Sequence, residues 1–206
     1  PEITNQKGYV DKFIGDAIMA IFTEHPANSV VSAVQILKAL QRFNDNEINE
    51  GSKPLQVGIG INTGPVILGT LGTEGRLEGT VIGDTVNVAA RLETLTKTYK
   101  CPLLISENTF EFLKSFEDGS LSNMCRKLDV AEVKGKLERV AIYEVFAWQN
   151  ADIIAAKISS KSQFEKAVSM KASADPELAA KLLEAYCKQN PADNVAHRQF
   201  SLSQGN

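Results

Sequence analysis

Two short apolar runs lie near the start of the chain. Residues 9–14 and 17–22 are rich in aliphatic and aromatic side chains. Gly15 and Asp16 separate the two runs, and this dipeptide suits the central positions of a tight turn. The pattern therefore predicts a β-hairpin with Asp16 at its tip.

A helical spacing follows the hairpin. From residue 30 onward, apolar side chains recur at i, i+3, i+4, i+7 and i+10, which places them on one helix face. Asn28 or Ser29 is expected to cap this helix, and the polar stretch 44–51 to end it. Residues 57–61 and 66–71 are β-branched runs joined by Asn-Thr-Gly-Pro, so a second hairpin is predicted.

Helices and strands alternate through the next segment. Residues 73–79 are polar and contain glycine, which predicts a loop, and residues 85–98 have the pattern of a helix. The elements predicted after that helix are a strand at 103–105, a helix capped by Ser106 that runs to about Phe116, and strands near 124–133 and 140–146. The pattern is that of an α+β domain.

The composition changes after Trp148. Apolar stripes without strand-like runs predict two or three short helices over the rest of the chain. We therefore divide the chain into a domain at residues 1–148 and a helical extension at 149–206. A helical tail packed on the domain is the favoured interpretation; the alternative is a tetratricopeptide-like pair, suggested by Asn-Pro-Ala-Asp at residues 190–193.

Composition and charge exclude several classes of protein. The chain has 206 residues, 43% of them hydrophobic, with a net charge of −3, so neither a nucleic-acid surface nor an anionic-membrane surface built on bulk charge is expected. No apolar run approaches the length of a spanning helix, and we expect a cytoplasmic protein with no membrane contact from this segment. The three cysteines and two histidines are too widely spaced to indicate a disulfide framework, a zinc site or a histidine-based triad.

Three sequence motifs identify a resemblance. They are KFIGDAIMA at residues 12–20, TVIGDTVNVAARLE at 80–93 and VKGK at 133–136, and GIGINTGPV at 58–66 also fits. Together they resemble the catalytic domain of class III nucleotidyl cyclases over roughly residues 8–145. The resemblance implies a ferredoxin-like fold and formation of a 3′,5′-cyclic nucleotide and pyrophosphate from a nucleoside triphosphate. This is phosphoryl chemistry, which needs metal ions, cations around the phosphates and a positioned nucleophile.

A metal role is implied for Asp16. A Gly-Asp turn taken alone is usually structural, because aspartate suits turns. Within the family motif, Asp16 resembles one of two metal-binding aspartates that hold two Mg²⁺ or Mn²⁺ ions. Asp11 and Asp84 are less favoured as ligands, and Asp84 is sufficiently explained by capping the following helix.

The resemblance assigns phosphate and ribose contacts to the second and third motifs. Asn87 and Arg91 are four residues apart, so a helix presents them on one face. An arbitrary pair at this spacing would be a polar helix face; by resemblance, Asn87 orients the ribose and Arg91 steadies the α-phosphate. Lys134 and Lys136 resemble the lysines of a loop that contacts the β- and γ-phosphates, with Lys134 the favoured one.

Base selection is implied at Lys12 and Thr80. A lysine ammonium donates to adenine N1, whereas guanine carries a proton there and favours a carboxylate. Lys12 thus indicates ATP, although an isolated lysine would be taken as an exposed strand residue. Thr80 resembles the threonine-type subclass, in which its hydroxyl accepts from the adenine amino group. The resulting hypothesis is an adenylyl cyclase; the alternatives are a guanylyl cyclase and a non-catalytic regulatory or dimerisation module.

The family pattern includes parts that these residues lack. Its first metal aspartate lies in an N-terminal strand, well before the hairpin, and no such segment precedes Lys12 here. We interpret the chain as a fragment of a longer enzyme rather than as a decayed partner, and expect it to have little activity without that aspartate. The resemblance also implies a homodimer with shared sites and an upstream sensor or regulatory domain in the parent protein.

Overall fold

The computed structural model describes residues 1–48, 53–73, 76–132, 139–172 and 175–204. The strands are β1 (Gly8–Ile14), β2 (Ala17–Phe22), β3 (Ile59–Ile61), β4 (Ile67–Thr73), β5 (Arg76–Ile82), β6 (Leu103–Ser106), β7 (Cys125–Glu132) and β8 (Arg139–Val145). The helices are α1 (Glu2–Asn5), α2 (Pro26–Ile48), α3 (Asp84–Tyr99), α4 (Glu107–Leu113), α5 (Ser120–Asn123), α6 (Ala151–Ala172), α7 (Pro176–Gln189) and α8 (Asn194–Ser203). The predicted α+β class and the helical tail are confirmed.

The first hairpin is confirmed. Strands β1 and β2 pair antiparallel around Gly15 and Asp16. Gly15 has φ +63°, a left-handed conformation that glycine adopts without strain. The register shifts between Val10 and Lys12, so Asp11 lies at a bulge, where the strand bends and its twist increases.

The prediction of a second hairpin between residues 57–61 and 66–71 is wrong. Strand β3 pairs in parallel with β6, and β4 instead forms a hairpin with β5. Side-chain contacts hold the connecting loop against α3: Thr85 Oγ1 donates to Pro65 O at 2.7 Å, and Asn62 Nδ2 donates to Thr85 O at 3.0 Å. The loop is therefore tied to a helix instead of closing a turn. The predicted loop at 73–79 is also replaced in large part by β4 and β5.

Helix α2 begins earlier than its apolar spacing predicts. Its first residue is Pro26, whose fixed φ suits the first helical position. The amide of Ala27 donates to His25 Nδ1 at 3.1 Å, whereas Ser29 Oγ donates to Pro26 O at 2.6 Å. Asn28 and Ser29 both lie inside the helix, so the predicted capping role is wrong. The predicted cap of α4 is confirmed, because Ser106 Oγ accepts from Thr109 N at 3.3 Å.

The main sheet has the strand order β3-β6-β8-β7, with β3 parallel to β6 and the other pairs antiparallel. Successive side chains along a strand point to opposite faces of the sheet. Alternate residues of these strands therefore belong to two different hydrophobic cores. One core includes apolar residues of α2 and α4. The other includes residues of α3, α6, α7 and α8. The sheet is thus covered by helices on both faces.

Glycines bring α3 close to the edge strand β3. A Cβ atom on Gly60 would lie 2.3 Å from Glu93 N and 2.4 Å from Ala89 O, and one on Gly58 would lie 2.2 Å from Thr96 Oγ1. Only a residue without a side chain permits this approach of strand and helix backbones. Gly60 of β3 therefore sets how closely α3 approaches the sheet, and Gly58, just before β3, leaves room for the Thr96 side chain.

Candidate active site

The β1–β2 hairpin carries Lys12 and Asp16. Lys12 lies opposite Met19, and its side chain is 35% exposed. Its Nζ forms an ion pair with Asp11 Oδ2 at 3.1 Å, and the Asp11 side chain is only 11% exposed. The Asp11 carboxylate thus faces an ammonium group.

Asp16 occupies an open position at the hairpin tip. The side chain is exposed, and no atom lies within 4 Å of the point where a Cβ on Gly15 would stand. Among the residues that the structure describes, no group of three or more His, Cys, Asp or Glu side chains could hold a metal ion. A divalent cation held at Asp16 would therefore need further oxygen ligands from outside the described residues.

A sharp connection joins β5 to α3. Thr80 lies in β5 opposite Gly69 of β4; its side chain is outside the described part of the chain. Gly83 precedes the helix, and a Cβ on it would lie 3.3 Å from Pro65 O. Asp84 is the first residue of α3, where a carboxylate is favoured by the partial positive charge of the helix N-terminus.

Helix α3 presents Asn87 and Arg91 to solvent. Both side chains are exposed, and they lie one helical turn apart on the same side. The opposite side of the helix is buried through Val88, Leu92, Leu95 and Tyr99. Because packing fixes one side of the helix, the amide and the guanidinium project outward from a rigid base, as groups that bind a ligand must.

The C-terminal end of α3 is held by a polar contact. Tyr99 Oη donates to Asp129 Oδ2 on β7 at 2.8 Å. Burial raises the pKa of Tyr99, and the neighbouring Asp129 carboxylate raises it further. The phenol therefore stays protonated at neutral pH and keeps its hydrogen bond to Asp129.

The described residues form two groups within one chain. Lys12 and Asp16 belong to a hairpin that packs on α1 and α2, whereas Asn87 and Arg91 belong to a helix that packs on β3 and β6. The structure brings Asn87 and Arg91 together. Lys134 and Lys136 lie outside the described residues.

Sequence comparison assigns the family. Residues 2–146 match the model of a protein family, the adenylate and guanylate cyclase catalytic domain. The chain belongs to the class III nucleotidyl cyclases. The match includes the hairpin, α3 and the main sheet, which are the parts that carry the residues described above.

Two curated relatives of this cyclase domain are named adenylate cyclases. One from Anabaena cylindrica is 43% identical over 145 residues, which are 68% of this chain and 28% of that protein. Another, the terminal-differentiation specific adenylate cyclase of Dictyostelium discoideum, is 40% identical over 157 residues, 74% of this chain and 7% of that protein. The chain thus spans less than a third of the length of either relative.

A solved structure shares the fold of this cyclase domain. A bacterial light-regulated adenylyl cyclase superposes with a TM-score of 0.58 and 25% identity, over 78% of this chain and 46% of that chain. The predicted class III cyclase fold is confirmed. In the part of the chain that the structure describes, no helix has the length and apolarity needed to cross a bilayer.

The sequence analysis missed the residues that position α3. Ser106 Oγ donates to Asn62 Oδ1 at 2.6 Å, and the Asn62 amide reaches Thr85 O. This chain of contacts links the starts of α3 and α4 through the loop after β3. The Asn-Thr-Gly-Pro sequence indicated a turn, but a turn signal does not reveal which elements the loop contacts.

Proposed function

We propose that this chain carries the catalytic part of an adenylyl cyclase. The ribose 3′-oxygen of ATP attacks the α-phosphorus, the bond between that phosphorus and the oxygen bridging to the β-phosphate breaks, and pyrophosphate leaves. The 3′-hydroxyl proton passes to water or to a substrate oxygen. The observation that carries the proposal is the pair of outward-facing side chains, Asn87 and Arg91, one turn apart on a helix whose opposite side is buried.

Asn87 and Arg91 act on the reacting end of the nucleotide. The Asn87 amide orients the ribose hydroxyl, and Arg91 offers a planar fork of donors to the α-phosphate oxygens as their charge changes in the transition state. Lys134, or its neighbour Lys136, neutralises the β- and γ-phosphates of the leaving group. Positioning and charge stabilisation supply most of the catalysis in this kind of reaction.

Lys12 and Thr80 select adenine. The Lys12 ammonium donates to adenine N1, and the Thr80 hydroxyl accepts from the 6-amino group. The names of the relatives support this choice, because those compared above are called adenylate cyclases. The family description includes guanylate cyclases as well, so base preference is tested directly below.

Asp16 binds a divalent ion together with the triphosphate. One exposed carboxylate fits as a single anionic ligand of Mg²⁺ or Mn²⁺, whose other ligands would be phosphate oxygens, water and a further carboxylate outside the described residues. When bound, two such ions would lower the charge of the triphosphate and of the attacking oxygen. The role of Asp16 itself is to hold one ion beside the phosphates.

Two copies of the chain complete each site. Each site takes Asp16 from one copy and Lys12, Thr80, Asn87 and Arg91 from the other. Large apolar side chains on both hairpins support an interface, since Phe13 and Ile67 are each 71% exposed. Upstream residues of the full-length protein would add the first metal aspartate and a sensor or regulatory domain.

The reaction is expected in the cytoplasm. Cys101, Cys125 and Cys187 are free and buried, which suits a reducing compartment. Residues 1–148 form the catalytic domain in this proposal, and residues 149–206 form its helical extension.

The proposal is tested by product formation in the full-length protein. Incubation with ATP and Mg²⁺ or Mn²⁺ should give cyclic AMP, and Asp16→Ala should abolish it. Lys114→Ala serves as the matched surface control, because Lys114 is exposed and pairs only locally with Glu111 at 2.6 Å. Binding of ATP without any cyclic product would favour a non-catalytic regulatory module, and cyclic GMP as the main product would favour a guanylyl cyclase.

A further inference from the structure

The C-terminal helices, α6 to α8, share a core with the helix of the candidate site. Phe164 of α6, Leu183 of α7 and Val195 of α8 are buried in one cluster with Leu92 and Leu95 of α3. The same cluster includes sheet residues of β6, β7 and β8. Movement of the C-terminal helices would therefore disturb the packing under α3, since close-packed interiors transmit small displacements.

A buried cluster of four charges joins these helices to the sheet. Arg126 of β7 binds Asp193 with two hydrogen bonds, Nη1 to Oδ2 at 2.6 Å and Nη2 to Oδ1 at 2.8 Å, and its Nε contacts Glu144 Oε2 of β8 at 2.5 Å. Lys157 of α6 contacts Glu144 Oε1 at 2.5 Å. The four side chains are between 0% and 5% exposed. We call Arg126, Glu144, Lys157 and Asp193 the charge cluster.

Two aromatic side chains also contact the charge cluster. Tyr186 Oη donates to Asp193 Oδ2 at 3.1 Å, and Arg126 lies 3.9 Å above the centre of the Phe164 ring. Burial alone would raise the pKa of Asp193, but hydrogen bonds and charge from Arg126 outweigh it and lower the pKa to about 2. Asp193 is therefore charged at neutral pH beside the Arg126 guanidinium, and the cluster combines two acidic with two basic side chains.

Stability alone does not account for such a cluster. Burying ions is costly, and well-packed apolar residues of similar volume often stabilise a protein as well as a buried ion pair does. A bidentate pair has a strict geometry, however, so it permits one arrangement of the helices and disfavours others. The charge cluster is thus suited to fixing where the C-terminal helices dock.

The docked helices hold the C-terminal end of α3 directly. Arg198 Nε of α8 donates to Thr98 O at 2.8 Å, which is one of the last carbonyl groups of α3. Lys171 Nζ of α6 lies 3.3 Å from Asp129 Oδ2, the same carboxylate oxygen that accepts from Tyr99. Helix α8 therefore contacts the end of the helix that carries Arg91 directly, and α6 reaches that end through the Asp129 carboxylate of β7.

We propose that the charge cluster fixes the C-terminal helices in the arrangement that positions α3, and that Asp193 is thereby a positioning residue for Asn87 and Arg91. Residues 151–204 then form part of the catalytic unit. The structural part of this inference stands on its own, while its kinetic part rests on the proposed function.

Asp193→Asn in the full-length protein tests the proposal, with Asp175→Asn as its matched control. Each aspartate caps a helix: Asp193 Oδ1 accepts from Ala196 N at 3.1 Å, and Asp175 Oδ1 accepts from Leu178 N at 3.0 Å. Asp175 is exposed and outside the charge cluster. Each variant thus removes one negative charge from a helix cap, but only Asp193→Asn removes the charge that pairs with Arg126.

Hydrogen exchange gives the readout that is independent of activity. In Asp193→Asn, amides in the second half of α3 should exchange at least about tenfold faster than in the wild type, as local opening becomes easier. The kcat for cyclic AMP should fall about tenfold while the KM for ATP changes less than about threefold. Asp175→Asn should leave both unchanged. Faster exchange confined to α6–α8, with α3 unaffected, would overturn the proposal.

A second variant separates positioning from folding. Arg126→Met combined with Asp193→Asn removes both charges of the bidentate pair and leaves the Glu144–Lys157 pair intact, so no unpaired charge remains buried. The asparagine side-chain oxygen can still accept from Ala196 N, so the cap of α8 is kept. This protein should fold with a similar thermal midpoint yet show faster exchange in α3. Wild-type exchange and wild-type kcat in this double variant would refute a positioning role. If the wild type itself forms no cyclic nucleotide, the proposed function fails, and the exchange result still decides the structural inference.

Discussion

Gly60 of β3 lies directly against the backbone of Glu93 in α3. A Cβ atom on Gly60 would stand 2.3 Å from Glu93 N, closer than any non-bonded carbon and nitrogen can approach. Glu93 follows Arg91 by two residues, so this contact sets the height of the candidate site above the sheet. Gly60 thus supports the candidate site from the sheet side.

Replacement of Gly60 by alanine should lower both stability and turnover. The added methyl group meets backbone atoms, which cannot rotate away, so we expect the free energy of unfolding to fall by about 3 kcal/mol. Displacement of α3 should also reduce kcat. Chemical denaturation measures the first effect, and initial rates at saturating ATP measure the second.

Gly69→Ala is the matched control for that change. Gly69 lies in β4, and no atom is within 4 Å of the position of its added Cβ. This substitution should change the free energy of unfolding of the protein by less than about 0.5 kcal/mol. Equal destabilisation by the two substitutions would show that the close approach of β3 and α3 is absent in solution.

Substitutions of Arg91 should affect catalysis without affecting stability. The side chain is exposed, so Arg91→Ala should lower kcat about 100-fold through loss of charge stabilisation, with an unchanged melting temperature. Arg91→Lys should recover only part of this loss, because an ammonium lacks the planar fork. Lys97→Ala, on the same helix, is the control and should retain wild-type kcat. Wild-type turnover in Arg91→Ala would remove Arg91 from the site.

Lys12→Glu should lower turnover of ATP much more than it lowers stability. Its ion pair with Asp11 is partly exposed and should contribute no more than about 1 kcal/mol. Loss of the donor to adenine N1 should reduce kcat/KM for ATP about 100-fold. Lys12→Met removes the ammonium without placing a second carboxylate beside Asp11, and it should show the same kinetic loss. Circular dichroism measures folding, and equal loss of folding and activity in both variants would contradict the assignment.

The protein should lose stability in acid through Asp193. Its pKa is lowered from 3.8 to about 2 in the folded state, so the unfolded chain binds a proton first as the pH falls. The stabilisation, about 2 kcal/mol, is present above about pH 4 and is lost as the pH falls towards about 2. The Asp193→Asn variant should be less stable than the wild type at pH 7, and its stability should fall less between about pH 4 and about pH 2. Parallel stability curves for variant and wild type would contradict the lowered pKa.

Local patterns predicted the elements that local chemistry determines. The first hairpin follows from Gly15 and Asp16, α2 from its apolar spacing, and the start of α4 from Ser106. The strand pairing of residues 57–71 was predicted wrongly because the partner of β3 is β6, more than forty residues later. Nearest-neighbour pairing is a sound expectation only when the connecting loop is free to close a turn.

The family motifs pointed to the candidate site residues, but they did not point to the residues that pack beneath the site. Asn87 and Arg91 were identified from the motif, and the structure places both on the exposed side of α3. Arg126 and Asp193 were not identified, since they are 67 residues apart and each alone resembles an ordinary surface charge. Long-range pairing of charges leaves no local pattern in a single sequence.

The ratio of cyclic AMP to cyclic GMP formed in one reaction mixture tests whether the protein is an adenylyl cyclase. The full-length protein is incubated with equal concentrations of ATP and GTP and with Mg²⁺ or Mn²⁺, and the cyclic products are quantified by mass spectrometry beside the Asp16→Ala variant. We expect cyclic AMP in large excess over cyclic GMP, and neither product from Asp16→Ala. Cyclic GMP in excess, or equal product from the wild type and Asp16→Ala, would contradict this expectation.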